Sequence, residues 1–216
     1  EFRRVLFRSL SASEIYRQVV YISKKCMEIY NQPLTNIVFM GMGEPLLNYK
    51  NVMRSIHFIT SEEGLNMSYK RITLSTSGIS KMIRKLADDN VKVNLALSLH
   101  AANEELRKKI MPIGKSNTLE EIRDSLKYYF SKTKKKVTYE YVLLRDVNDS
   151  IDDAYQLYKY TKHLSSKVNI IEYNTVEGLE FKKSSFEKTE KFIGYLLKKG
   201  VNVSLRRSRG KDINAA

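Results

Sequence analysis

The sequence predicts an α/β fold in which about six mainly parallel strands alternate with helices. Three observations predict it. Short apolar, β-branched segments recur along the chain, helical periodicity lies between them, and the stretches after the strands differ chemically from those before them. Alternation of this kind implies βαβ units with right-handed crossovers, as a doubly wound sheet or a partial barrel. In both, ligands gather at the carboxyl edge of the strands.

The first element is a helix. Its start, SASE, places Ser11 three residues before Glu14, the spacing of a capping box. Ile15, Val19, Ile22, Cys26 and Ile29 then alternate steps of four and three, which marks one helix face. The strand candidates follow in order: NIVFM (36–40), RITLS (71–75), VNLALS (93–98), VTYEYVLL (137–144), VNIIEY (168–173) and VNVSLR (201–206). Between the third and fourth, TLEEIRDSLKYYF carries Leu119, Ile122, Leu126 and Tyr129 at helical spacing. Before the sixth, SSFEKTEKFIGYLLKKG reads as a helix that starts at Ser184, with Glu187 three on, and stops at Gly200.

The strand ends read GMGEP, TSG, LHAANEE, RDVNDS, NTVEG and RSRGKD, rich in Gly, Asn, Ser, Asp and Glu. The opposite ends carry ordinary linkers such as KKK (134–136). That asymmetry predicts a small-molecule site at one rim.

Composition narrows the class. At 216 residues and 42% hydrophobic content, the chain can bury one sizeable core. No apolar run reaches the roughly 20 residues of a membrane span, and the first residues, though basic, lack the apolar stretch and small-residue cleavage site of a secretory signal. One cysteine allows no internal disulfide, which fits a reducing, cytoplasmic setting. A formal charge of +14 favours phosphate-rich partners; lysine-rich solvated faces are the plainer explanation of that charge. Residues 1–9, EFRRVLFRS up to Ser9, show neither strand alternation nor a capped helix, and are read as a leader foreign to the fold.

FMGMGEPLLN (39–48) places two glycines, an acid and a proline directly after an apolar strand. By itself this is an ordinary tight turn. With RITLSTSG (71–78), VNLALSLHAANEELRKKIMPI (93–113), YEYVLLRDVNDS (139–150), NIIEYN (169–174) and RRSRGKDINAA (206–216), it resembles the radical S-adenosylmethionine (SAM) enzymes. The closer resemblance is to their adenine-C2 methyltransferases of large-subunit ribosomal RNA. A related group that modifies C8 of the same RNA is the neighbouring alternative. The resemblance covers about residues 10–216 and implies an incomplete (β/α) barrel domain of the radical SAM type over that span.

What the resemblance implies for residues is specific. Gly43 and Glu44 would grip the methionine part of SAM, with Pro45 fixing the exit of the loop. Ser75, Ser98, Leu99 and His100 would line the cofactor, and Asn174 would bond the adenosine portion. Without the resemblance, Ser75 reads as a turn serine and His100 as a structural histidine. His57 and His163 lie in helical patterns and read as structural or solvated. Arg206, Arg207, Arg209 and Lys211 would contact RNA phosphates beside the site mouth; otherwise they form a solvated basic tail. The target adenine would leave its stack to be reached.

The implied cofactors are SAM and a [4Fe–4S] cluster. The implied partners are 23S rRNA, tRNA as a second candidate, and an electron donor such as flavodoxin, with the protein a monomer. The cluster needs three cysteines in a CxxxCxxC run, whereas this chain has only Cys26, which reads as a buried structural residue on the first helix. By resemblance the cluster cysteines fall before Glu1 and the methyl-carrying cysteine falls just after Ala216, so this chain alone is expected to be inactive. Asn214 stands where the family has an aspartate. Two other classes stay open from the residues: a non-catalytic RNA-binding protein on the same barrel, and a phosphate-handling lyase. NTVEG has too few glycines for the second.

Overall fold

The computed structural model describes residues 8–41, 43–111, 117–174 and 180–206. The backbone groups into two compact units, Glu1–Thr76 with Lys92–Asn94, and Ser77–Val91 with Leu95–Ala216.

The first unit opens with α1 (Ala12–Tyr30), followed by β1 (Ile37–Phe39), a 3-10 turn (Pro45–Asn48), α2 (Tyr49–Thr60), a second 3-10 turn (Tyr69–Arg71) and β2 (Ile72–Thr76). Ser11 caps α1 in a full capping box with Glu14. Arg8, in the stretch set aside from the sequence, pairs with the same Glu14. Strands β1 and β2 run parallel, with Ile37 opposite Ile72 and Phe39 opposite Leu74.

The periodic face expected for the first helix is only partly covered. Val19 is buried, but Ile22 and Ile29 are exposed and Cys26 is half-buried rather than buried. The neighbour of α1 is α2, met where the Tyr16 and Phe58 rings lie 5.8 Å apart. With 12 residues, α2 is about 18 Å long against about 28 Å for the 19-residue α1. A helix buries a stripe only as far as something lies along it.

The second unit contains α3 (Ser80–Asp88), β3 (Asn94–Ser98, from Leu95 on), α4 (Glu104–Ile110), α5 (Leu119–Thr133), β4 (Val137–Leu143), α6 (Ile151–Thr161), β5 (Ser166–Glu172), α7 (Phe186–Lys198) and β6 (Val203–Arg206). Strands β3 to β6 are parallel, and each pairs with the next in sequence. A doubly wound sheet reverses its order at a switch point. This order does not reverse, so the partial barrel is the architecture. All six strands belong to one sheet in the order β1-β2-β3-β4-β5-β6.

The two faces of β4 differ sharply. Tyr139 meets Tyr160 of α6 with ring centroids 5.9 Å apart, and Tyr141 meets Phe192 of α7 at 5.5 Å. Both tyrosines are fully buried, and the Tyr141 hydroxyl donates to the Asn148 carbonyl at 3.0 Å. Thr138, Glu140 and Val142 alternate with them and point to the opposite face.

The remaining helix ends follow their sequences. Thr118 caps α5 in a second capping box with Glu121, and the predicted face of Leu119, Ile122, Leu126 and Tyr129 is buried. The cap of α7 is Ser185 rather than Ser184. Ser184 is buried and donates instead to Asp149 Oδ2 at 2.6 Å, an interaction that its neighbour cannot reach from the helix side. Gly200 follows α7 with φ +75, the left-handed conformation expected of a residue past a helix end. Among the described residues, no helix is long and apolar enough to cross a membrane.

Candidate functional site at the strand ends

In the first unit, β1 ends into Gly41 and Gly43, and Glu44 follows. Gly43 has φ +87, a conformation that disfavours any side chain, and a Cβ built there meets nothing within 4 Å. The backbone is therefore bare toward open space. Glu44 Oε1 accepts the Leu46 N–H at 3.0 Å, and Pro45 is the first residue of the turn. The acid before the proline therefore has a structural role. A carboxylate satisfies an N–H that the short turn cannot, and proline needs no such partner. Ser75 lies in β2, one residue beyond Leu74, whose partner on β1 is Phe39, and is 8% exposed. The structure thus brings Gly43, Glu44 and Ser75 to the same end of two paired strands.

In the second unit, Ser98 closes β3, Asn174 lies two residues past β5, and Arg206 closes β6. All three sit at carboxyl ends of parallel strands. Arg206 is exposed. Arg207, Arg209 and Lys211 lie outside the described residues.

Leu99 and His100 turn out to build a corner. Both donate their backbone N–H to the Glu140 carbonyl, at 2.9 and 3.2 Å. The Leu99 side chain is fully buried, so a ligand would meet this residue through its backbone. His100 has φ +56, in the left-handed region. Its Nδ1 accepts the Val142 N–H at 3.2 Å, which leaves the proton on Nε2. Burial, and then the nearby Arg107 guanidinium, lower its pKa to about 4. The ring is neutral at pH 7 and presents Nε2–H as a donor.

Two residues that the sequence reading did not single out hold this corner. Arg107 is 2% exposed. Its Nε donates to the Leu99 carbonyl at 3.2 Å, and its Nη2 donates to the Ser77 carbonyl at 2.5 Å. One guanidinium thus ties the residue after β2 to the residue after β3. Asn148 is fully buried. Its Nδ2 donates to the carbonyls of His100 and Val142 at 2.7 and 2.8 Å, and its Oδ1 accepts the Leu144 N–H at 2.7 Å. Gly78 permits the approach of α5: a Cβ there would lie 2.7 Å from Ile122 Cδ1.

On the face of β4 away from the helices, Glu140 is level with Ser98 on β3, Asn169 on β5 and, through Asn169, Ser204 on β6. Asn169 Nδ2 donates to Glu140 Oε1 at 2.9 Å, and Ser204 Oγ donates to Asn169 Oδ1 at 2.6 Å. The signal for this row was legible as a lone acid in the apolar run VTYEYVLL, since strands buried on both faces read as continuous apolar runs. His57 and His163 are exposed, as expected.

The residues here do not fit a [4Fe–4S] cluster. Among the described residues no group of three or more His, Cys, Asp or Glu could hold a metal ion, and the chain's single cysteine is Cys26 on α1. They do fit a polar organic ligand. Besides the bare backbone at Gly43, five buried side-chain atoms among the described residues of the second unit have no partner: the Ser80, Tyr139 and Tyr173 hydroxyls, Arg123 Nε and Glu140 Oε2. Buried polar atoms are normally satisfied, so each such atom points to a missing partner.

Residues 5–158 match the Radical SAM superfamily. The chain is 53% identical over 209 residues to a probable dual-specificity RNA methyltransferase RlmN of Flavobacterium psychrophilum, covering 97% of this chain and 60% of that protein. It is 50% identical to a protein of the same description from Christiangramia forsetii, covering 59% of it. The chain therefore spans about 60% of the length of the curated relatives it matches. A crystal structure of a radical SAM methyltransferase from Sphaerobacter thermophilus superposes with a TM-score of 0.94 at 39% identity, covering 98% of this chain and 62% of that one. Streptococcus suis SuiB bound to S-adenosylmethionine shares the fold, with a TM-score of 0.65 at 17% identity, covering 95% of this chain and 45% of that one.

Proposed function

The chain belongs to the radical SAM superfamily, and from that premise we propose that it is part of an enzyme that methylates C2 of an adenine in 23S rRNA, with tRNA as a second candidate substrate. The observation that carries the reading is the 53% identity over 97% of the chain to a relative described as a dual-specificity RNA methyltransferase. The proline that follows Glu44 and the regular STSG element (75–78) support the C2 chemistry over its C8 neighbour. The net charge of +14 supports a phosphate-rich substrate.

SAM would supply the methyl group. The residues of this chain would bind and orient it. Gly43 offers bare backbone for the methionine part, and Glu44 sets a negative charge near its ammonium while capping its own turn. Ser75 and Ser98 line the cofactor, Leu99 contributes its backbone, and His100 offers Nε2–H as a neutral donor. Asn174 bonds the adenosine. Arg206, and the Arg207, Arg209 and Lys211 that follow it in sequence, contact RNA phosphates, which position the substrate without reading it. The family's methyl-carrying cysteine and cluster thiolates are not supplied by these residues, because the only cysteine is on α1. This 216-residue chain alone is therefore inactive in the reading.

Equilibrium binding of SAM, paired with an RNA methylation assay on the purified chain, tests it. The expected result is weak SAM binding and no transfer to RNA. Absence of any SAM binding overturns the cofactor assignments, and methyl transfer by the chain alone overturns the inactivity.

A further inference from the structure

We propose that Glu140 is a ligand-binding residue whose free carboxyl oxygen takes a hydrogen bond from a ribose hydroxyl of a bound nucleoside. The inference rests on the SAM-binding reading above and adds to it a residue that the strand-end motifs do not include.

Three observations place it. Glu140 is 4% exposed, and while Oε1 accepts from Asn169 Nδ2, Oε2 has no partner. A buried carboxyl oxygen without a donor is costly in any folded chain. Its strand neighbour in register is Ser98, the residue that closes β3. The unpartnered oxygen is therefore level with a strand end, where ligands of this fold bind. Four residues beyond Asn169, just past the end of β5, the Tyr173 hydroxyl is also buried without a partner, directly before Asn174.

The chemistry selects the ligand class. Asn169 is committed on both sides, donating to Glu140 and accepting from Ser204 at 2.6 Å, so the row is fixed and Oε2 is the carboxyl oxygen left without a donor. A single oxygen shielded from water suits one neutral donor, and a sugar hydroxyl is such a donor. Burial raises the Glu140 pKa, while Asn169, Arg206 and Lys167 act to lower it. A hydroxyl donor would act in the same direction as those three groups, because it bonds the charged form better. The oxygen has no access to water in the ligand-free chain, so binding includes a side-chain adjustment over it, as is common at binding sites.

The test is a cycle over protein and ligand, read by NMR titration of the whole chain. Wild type and Glu140→Gln are titrated with adenosine and with 2′,3′-dideoxyadenosine. The expected result is that wild type prefers adenosine by about tenfold and that the variant loses most of this preference. A measurement without substitution accompanies it: adenosine should move the titration midpoint of the Glu140 carboxyl carbon downward. Equal discrimination in both proteins, or an unmoved Glu140 titration, overturns the inference and leaves the SAM-binding reading intact. Failure of wild type to bind either nucleoside or SAM overturns both.

Discussion

Arg107 Nε donates to the backbone carbonyl of Leu99 at 3.2 Å, from a side chain that is 2% exposed. The same guanidinium reaches the Ser77 carbonyl. No carboxylate forms an ion pair with it among the described residues; its charge is answered by carbonyl dipoles, with Glu104 a weaker influence. The two loops that follow β2 and β3 are held to one another by this group.

Replacing Arg107 with leucine should therefore destabilise the chain by about 1–3 kcal/mol, the range for buried neutral polar groups, here the Leu99 and Ser77 carbonyls, left without a partner. Lysine should recover only part of the loss, because an ammonium lacks the planar fork that reaches two carbonyls. Urea denaturation of the two variants checks this. Equal stability of Arg107→Lys and the unmodified chain would contradict the role.

Asn148 uses its amide in both senses, donating to His100 and Val142 and accepting from Leu144. In Asn148→Asp a carboxylate oxygen would face two carbonyl oxygens. The expected loss is about 2–4 kcal/mol, mostly the cost of leaving buried groups unpaired. Asn148→Asp should regain stability as pH falls, since a protonated acid can donate again. Thermal melts at pH 7 and pH 4.5, corrected for the parent protein, distinguish this from simple loss of packing.

Gly78 stands at φ +101 with Ile122 Cδ1 at 2.7 Å from where a Cβ would lie. Gly78→Ala should cost stability through both strain and overlap, by about 1–3 kcal/mol. Ile122→Val removes Cδ1, so the double variant should lose less than the sum of the single ones. Strict additivity in the melting data would show that the backbone angle alone is responsible.

His100 gives a pH dependence with a defined sign. Its pKa is about 4 in the folded chain against 6.5 for the free side chain. The unfolded chain then binds more protons between these values, so the neutral histidine stabilises above pH 6.5 and this contribution falls away as pH drops toward 4. The full shift corresponds to about 3 kcal/mol. Glu140 opposes it: its raised pKa contributes stability below the free value of 4.5 that is lost as pH rises through the folded value. Stability of His100→Asn should accordingly fall less between pH 6.5 and 4 than that of the parent. An unchanged acid limb would refute the assignment of this limb to His100.

Much of the architecture was legible because local signals agreed with packing. The capping residues Ser11 and Thr118, the six apolar segments and the buried stripe of α5 are each set by short-range chemistry. The stripe on α1 was legible as a helix face but not as a partly exposed one, because cover depends on the length of α2. Strand-end positions followed from the alternation of elements, so Ser98, Asn174 and Arg206 lie where expected. The resemblance marks Leu99 and His100 as cofactor contacts, yet their hydrogen bonds go largely to the backbone of β4, and no local pattern reveals a partner about forty residues away. Arg107 was hidden for the same reason. In sequence it is one basic residue in LRKK on an amphipathic helix, and only the fold shows that it alone among them turns inward.

The most direct measurement is the product of methyl transfer. A chimera carrying residues 10–206 of this chain within the flanking segments of the Flavobacterium psychrophilum relative would be incubated with unmethylated 23S rRNA, SAM and a reductant, and its nucleosides resolved by mass spectrometry. The account predicts 2-methyladenosine. Appearance of 8-methyladenosine, or of no methylated adenine from a chimera that folds and binds SAM, would contradict it.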